Sequence, residues 1–283
     1  MAVRVIQASE ISKAVEKLLL DCNYFIGKDI ACAFECSLKT EQSPIGKGVI
    51  EQLIENSKIA AEEQVPLCQD TGMAVFFVEY GQNVVVEGGS FEDAINEGVR
   101  GAYVGGYLRK SVVRDPVLDR VNTGDNTPAI IHTRIVPGDK ISILAGSKGF
   151  GSENMSAIKM LTPGAGLEGV KKFILDTVDH AGPTPCPPMV IGVGIGGTFE
   201  ECAILAKKAT LRAVDEHNPD ERYAALETEL LGEVNKMGFG PGGLGGTTTA
   251  LGLNIEVYPT HIAGMPVAVN ICCHAARHGH VTL

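Results

Sequence analysis

The sequence predicts a mixed α/β fold: one domain spanning residues 1–283, with sheet and packed helices and its chemistry on glycine-rich loops. Three observations predict it. Helical and strand-like apolar patterns alternate along the chain, which is the signature of layered α/β architecture. The 34 glycines gather in a few loops instead of being spread evenly, so tight turns and close backbone approaches are expected there. No internal repeat, charge run or long polar linker marks a boundary, and 283 residues can bury a substantial core.

Taken in order, Ser9 can cap a first helix whose apolar stripe is Ile11, Val15, Leu18 and Leu19. A second helical stretch runs from Lys28 to Leu38. Ser43-Pro44 supplies a cap and a first-turn proline for a third, with Ile45, Val49, Leu53 and Ile54 on its buried face. Met73 to Tyr80 and Val84 to Val86 read as strands. Ser90 to Asp93 is a capping box for a helix reaching Leu108. Residues 128–136 and 140–145, joined by Pro137-Gly138-Asp139, read as a β-hairpin. A helix is expected through Leu161, another over Leu167 to Asp179, and a buried strand over Met189 to Val193. Thr198 and Glu201 form a second capping box, for a helix running to Arg212. A helix over Asp220 to Met237 and strands at Leu251 to Val257 and Pro266 to Ile271 complete the pattern.

Composition narrows the function. A formal net charge of −10 opposes a nucleic-acid or anionic-membrane surface, so an anionic substrate would need a local group of cations and N–H donors. No apolar run reaches membrane-spanning length, and Met1 to Ser12 lacks the form of a secretory signal. The expected compartment is the cytoplasm. Eight cysteines in such a chain are not expected to form a disulfide framework. Cys22, Cys32, Cys36 and Cys202 fall on helical patterns and read as small buried hydrophobes. Cys68, Cys186, Cys272 and Cys273 sit in or beside polar, glycine-rich or proline-rich segments.

Three constellations can carry chemistry. In Val65-Pro66-Leu67-Cys68-Gln69-Asp70-Thr71-Gly72 a thiol, an amide, a carboxylate and a hydroxyl share one short loop, where burying them unpaired would be costly. Isolated thiolates such as Cys68, Cys186 and Cys273 could hold an iron–sulfur cluster, although no C-x-x-C pair exists; packing in a rigid turn is the competing reading for Cys186. Gly192 to Gly197 matches G-x-G-x-x-G, and Asp215 follows near where a ribose-binding acid would sit, which keeps an NAD-dependent oxidoreductase as a remote alternative. Against it, the helical pattern leaves no room for a second strand before Asp215, and tight packing at a helix N-terminus explains the glycines equally well. Arg109, Arg114, Arg120, Arg134 and Lys148 surround Asn122-Thr123-Gly124-Asp125-Asn126 and could meet a carboxylate. His261 can serve as a proton donor or simply as a structural histidine.

Taken together these blocks resemble the α subunit of class I, iron–sulfur fumarate hydratases and of L-tartrate dehydratase, and the N-terminal domain of the single-chain enzymes. The resemblance rests on V-P-L-C-Q-D-T-G at 65–72, N-T-G-D-N-T-P at 122–128, S-K-G-F-G-S-E-N at 147–154 and T-P-C-P-P at 184–188. It continues through G-I-G-G-T at 194–198, G-F-G-P-G-G-L-G-G at 238–246, P-T-H-I-A at 259–263 and C-H-A-A-R-H at 273–278. It implies a hydro-lyase with a [4Fe–4S] cluster on Cys68, Cys186 and Cys273, Cys273 being preferred to Cys272 because it opens the last block. It also implies substrate contacts from Gln69, Asp70, Arg109 and Gly151, and proton transfer by Asp70 with His261. The activity implied first is reversible hydration of fumarate to L-malate, with L-tartrate dehydration as the alternative. A separate β subunit is implied, completing the site in a hetero-oligomer and supplying the base for the C–H proton.

Overall fold

The computed structural model describes residues 3–283; Met1 and Ala2, part of the N-terminal stretch read above, lie outside the described residues. The elements run β1 (Arg4–Gln7), α1 (Ala8–Tyr24), α2 (Lys28–Thr40), α3 (Pro44–Glu63), β2 (Met73–Gly81), β3 (Val84–Glu87) and α4 (Phe91–Gly105). They continue with β4 (Ile130–Val136), β5 (Ile141–Lys148), α5 (Phe150–Glu153), β6 (Ala157–Leu161), α6 (Gly166–Ala181), β7 (Met189–Gly196) and α7 (Phe199–Ala209). The last are α8 (Glu221–Lys236), β8 (Ala250–Tyr258), β9 (Met265–Cys272) and β10 (His278–Thr282). The class is mixed α/β, and among the described residues no helix is long and apolar enough to cross a membrane.

The chain divides into two compact units, each assembled from separated stretches of sequence. Among the described residues the first comprises 3–27, 57–149 and 277–283; the second comprises 28–56 and 150–276. Helix α3 passes from one to the other after Asn56.

The first unit is built on a four-stranded sheet of order β10-β5-β2-β4, beside a small parallel pair, β1 and β3. Helices α1 and α4 cover the sheet. Their close approach needs Gly98, where a Cβ would stand 2.6 Å from the Ser12 carbonyl oxygen. The core joins Ile11, Val15 and Leu19 of α1 to Ile95, Val99 and Tyr103 of α4 and to Phe76, Ile141 and Ile143 of the sheet. Burying side chains of this size contributes about 1.5–3 kcal/mol each.

The expected hairpin over residues 128–145 does not form. β4 pairs parallel with β2 and β5 pairs antiparallel with it, so β2 lies between the two. The turn after β4 crosses the end of β2, whose Gly81 lies so close to the Gly138 and Lys140 carbonyls that a Cβ would sit 2.7 Å from each oxygen.

In the second unit a sheet of order β6-β9-β7-β8 carries the core. Met189, Ile191 and Val193 of β7 pack with Val267, Val269 and Ile271 of β9 and with Ile174 and Val178 of α6. The segment expected to continue as helix to Leu161 is instead the edge strand β6, after a helix that stops at Glu153. Its Ser156 Oγ accepts from the Ile271 N–H at 3.1 Å, which pulls the chain into register with β9. Tertiary pairing has overridden local helix propensity.

The cap readings divide. Ser90 accepts from the Asp93 N–H at 3.2 Å, and Asp220 caps α8 through the Arg222 N–H at 2.9 Å. Ser9 lies inside α1, whose cap position is Gln7, and neither Gln7 nor Thr198 makes a side-chain cap bond.

Candidate functional site

In the first unit the loop after α3 is fixed at Leu67 and from Asp70 to Gly72. The Leu67 N–H donates to the Asn23 carbonyl at 2.8 Å, and the Arg277 guanidinium donates to the Asp70 carbonyl at 2.6 Å. The Tyr103 hydroxyl donates to the Thr71 carbonyl at 2.8 Å, and the Asn126 amide to the Gly72 carbonyl at 3.1 Å. Asp70 closes the turn on itself, accepting from the Gly72 N–H at 2.9 Å. Gly72 has φ +67°, and a Cβ there would fall 2.4 Å from the Lys148 carbonyl group, so glycine is required. What remains open is the chemistry: Cys68 is half-buried, Gln69 exposed and Asp70 half-buried. Burial pushes the Tyr103 phenol up to about 12, so it donates its proton to the loop without ionising near neutrality.

Arg109 is brought to the same loop by Thr71. The Thr71 hydroxyl donates to the Arg109 carbonyl at 3.1 Å and accepts from the Arg109 N–H at 2.9 Å. Asn126, buried with φ +64°, fastens the next stretch by accepting from the Ser111 and Val112 N–H groups at 2.7 and 3.1 Å. The N-T-G-D-N-T-P block is thus a brace for the segment that carries Arg109, whose side chain is exposed. Of the other cations of that region, Arg114, Arg120 and Arg134 are exposed, Arg120 bonding its own turn through the Pro116 carbonyl and Arg134 lying on β4, whereas Lys148 is buried at 3% exposure.

In the second unit Cys186 and Cys273 lie at one end of the sheet. The His274 N–H donates to the Cys186 carbonyl at 3.3 Å, and His274 Nδ1 lies 3.1 Å from the same oxygen. Cys186 is exposed and has φ +56°, a left-handed conformation that costs a residue with a Cβ about 1–2 kcal/mol. Such strain persists where surrounding structure enforces it, often at functional sites. The neighbouring thiols separate clearly. Cys272 is buried within β9 opposite Val190, whereas Cys273 follows the strand and is half-buried. Gly151, in α5, belongs to the same end, since Glu153 of that helix accepts from the Asn270 amide at 2.9 Å. A Cβ at Gly151 would meet nothing within 4 Å.

His261 is placed differently. It caps the turn between β8 and β9, with its Nδ1 accepting from the Ala263 N–H at 3.2 Å. Strand β9 separates it from Cys273, and at about 3.3 Å per residue that strand spans about 23 Å. Within the second unit His261 and Cys273 therefore lie at opposite ends of β9.

The dinucleotide fingerprint also resolves. A Cβ on Gly192 would fall 2.2 Å from the Ala206 carbonyl oxygen, and one on Gly194 2.0 Å from that of Cys202. Both glycines exist to let α7 lie against β7, and α7 is followed by α8 with no strand near Asp215. Cys32 and Cys36, expected inside, are exposed on α2; Cys22 and Cys202 are buried.

All eight cysteines are free thiols. Among the described residues no three His, Cys, Asp or Glu side chains gather as they would around a single metal ion. A multi-iron cluster sets its thiolates further apart than one ion does, and accessible soft sulfur donors suit it. Cys68, Cys186 and Cys273 fit that description as donors, and Cys272 does not.

Sequence reading missed two groups. Arg277, 3% exposed, lies under the Cys68 loop, and it stands in the C-H-A-A-R-H block where its burial had no local signal. Glu41, 1% exposed, accepts from the N–H groups of Gln42, Ser43, Thr247 and Thr248 at 2.8–3.0 Å and ties down the long glycine segment.

Comparison with known proteins agrees with the motif blocks. The family described as Fumarate hydratase (Fumerase) matches residues 12–282. A protein of Methanocaldococcus jannaschii, provisionally named L(+)-tartrate dehydratase subunit alpha, is 43% identical over 272 residues, covering 95% of both chains. The L(+)-tartrate dehydratase subunit alpha of Escherichia coli K12 is 34% identical over 243 residues, covering 84% of this chain and 79% of its own. This chain belongs to the class I fumarate hydratase and tartrate dehydratase α-subunit family, a family of hydro-lyases.

Proposed function

We propose that this chain is the α subunit of an iron–sulfur L(+)-tartrate dehydratase. The observation that carries the reading is 43% identity, over 95% of both chains, to a relative bearing that name. Fumarate hydration, the activity first expected, has the family description behind it but none of the relatives' names given above. Loss of water from tartrate gives an enol that rearranges to a 2-oxo dicarboxylate.

On this reading Cys68, Cys186 and Cys273 hold a [4Fe–4S] cluster, which when bound supplies a Lewis-acidic iron open to a hydroxyl and a carboxylate. The half-exposed thiols of Cys68 and Cys273 and the exposed thiol of Cys186 support the set, and burial of Cys272 in β9 supports Cys273 as the third. The chain's own residues then divide the remaining work. Asp70, its carbonyl held by Arg277 and one carboxylate oxygen on the Gly72 N–H, is the acid that delivers a proton to the leaving hydroxyl so that it departs as water. Gln69, exposed beside it, offers an amide to a substrate oxygen. Arg109, on a segment braced by Thr71 and Asn126, presents a fork of donors to a substrate carboxylate. Gly151, with open space where a Cβ would point, lets a substrate approach the backbone. His261 lies a strand length along β9 from Cys273 of the same chain, and we assign it no step within this unit. The α-subunit names of the relatives imply a second subunit, and to it we assign the base that removes the C–H proton.

The test is anaerobic co-expression with a β-type partner, followed by turnover on L(+)-tartrate and L-malate. Tartrate should be preferred at least tenfold, and Cys68→Ser, Cys186→Ser and Cys273→Ser should each lose the intact cluster. Full activity from this chain alone, or a preference for malate, defeats the proposal.

A further inference from the structure

We propose that Arg277 is the positioning residue that holds the Cys68-Gln69-Asp70 loop in its working conformation. The inference rests on the role given above to Asp70, but its structural half can be tested without it. Arg277 is the first residue of the closing stretch of the first unit, and its backbone carbonyl accepts from the Ser147 N–H at 3.2 Å, which anchors it to the end of β5. From there its Nη1 reaches the Asp70 carbonyl at 2.6 Å and the Asn23 side-chain oxygen at 3.4 Å.

Asn23 is itself fully buried, donating to the Leu19 carbonyl at 2.8 Å and the Ser147 hydroxyl at 2.9 Å, while its backbone carbonyl takes the Leu67 N–H. The guanidinium and Asn23 therefore grip the loop on either side of Cys68, at Leu67 and at Asp70. Nη2 and the Asp70 carboxylate both border Gly149: a Cβ there would lie 3.4 Å from Nη2 and 3.2 Å from Oδ2. The acid and the cation thus share one small space, kept clear by the glycine.

A purely structural role accounts poorly for this choice of side chain. Arginine at 3% exposure is desolvated, and its Nε is buried with no hydrogen-bond partner. An unmatched buried donor costs roughly 1–3 kcal/mol, and a hydrophobic side chain at such a position is often neutral or stabilising by comparison. Tyr103, Asn126 and Thr71 already secure residues 71 and 72. The carbonyl of Asp70 is what the cation adds, and it lies two residues beyond the proposed ligand and within the proposed acid.

The first measurement uses the full-length, cluster-free chain and iodoacetamide, following each thiol by mass spectrometry. Arg277→Met should speed alkylation of Cys68 at least fivefold, while Cys186, in the other unit, changes by less than 1.5-fold. Equal Cys68 rates in folded Arg277→Met and the parent overturn the proposal, as does a matching acceleration at Cys186, which would signal general loosening. Should Arg277→Met fail to fold, Arg277→Lys carries the test: one ammonium cannot copy the planar fork, so at least a threefold rise confined to Cys68 is expected, and no rise overturns the proposal. The second measurement uses the anaerobic holoenzyme with its partner subunit. Arg277→Met should keep its iron content, lose at least tenfold in kcat on L(+)-tartrate and hold KM within threefold; an unchanged kcat in the cluster-loaded variant overturns the proposal. The alkylation result does not depend on substrate or cluster, so it stands even if the tartrate assignment fails.

Discussion

Glu41→Gln should weaken the second unit by an amount that depends on pH in a calculable way. The carboxylate accepts from the backbone N–H groups of Gln42, Ser43, Thr247 and Thr248. Burial is the largest single influence on its acidity and acts upward, but those donors and the Thr248 hydroxyl together outweigh it and bring the group from 4.5 down to about 2. At about 1.4 kcal/mol per pKa unit that fall corresponds to roughly 3 kcal/mol. Because the folded value is depressed, this stability is fully present above pH 4.5 and is lost as pH falls through about 2. Glutamine keeps one acceptor but turns an NH₂ group toward backbone donors, so the variant should be less stable by about 2–3 kcal/mol at pH 7. The chain has no tryptophan, so urea unfolding is followed by far-UV circular dichroism at pH 7 and pH 3, with hydrogen exchange at Thr247 and Thr248 as the local readout. More than half of the difference between parent and variant should vanish by pH 3. A gap of the same size at both pH values would refute the reasoning.

Further substitutions separate packing from chemistry. Gly194→Ala should destabilise by about 2–3 kcal/mol in thermal unfolding, because its Cβ would collide with the Cys202 carbonyl. Gly151→Ala, facing open space, should stay within about 0.5 kcal/mol of the parent while raising KM for the dicarboxylate, as steady-state assays would show. Tyr103→Phe removes the hydroxyl that donates to Thr71 and should cost about 1 kcal/mol, measured by urea midpoint. Glu227→Ala strips a buried carboxylate from Arg212 and from the Ile255 and Asn218 N–H groups; a loss of about 3–5 kcal/mol in urea unfolding is expected.

The α/β class and most elements were legible because their apolar patterns are long and their caps or glycines local. Met73 to Tyr80 reads as a strand whatever pairs with it. The partner of a strand is another matter. Residues 130–136 and 141–148 look like hairpin arms to any local rule, and only the whole first unit shows β2 lying between them. Residues 157–161 carry helix formers, yet β9 has an open edge that claims them. At the site, Cys68 and Asp70 stood out because polar groups in one tight loop are conspicuous. Arg277 and Glu41 did not, since what makes them notable is burial against residues far away in sequence. The glycines at 192 and 194 show the reverse: a pattern that suits a pyrophosphate equally suits a helix backbone, and only contact distances tell them apart.

The interleaving of the two units has a consequence for synthesis on the ribosome. Strand β10 forms an edge of the first unit's sheet by pairing with β5, more than a hundred residues earlier. Residues 150–276 emerge between those two strands and belong to the other unit. The first unit must therefore wait, with α1, α4 and most of its sheet already translated, until residues 277–283 leave the exit tunnel. Its exposed β5 edge meanwhile offers unpaired N–H and C=O groups to any other strand in reach. Arg277, which opens residues 277–283, arrives only after all of residues 150–276, so the grip on the Cys68 loop closes after the other unit's long segment has been made.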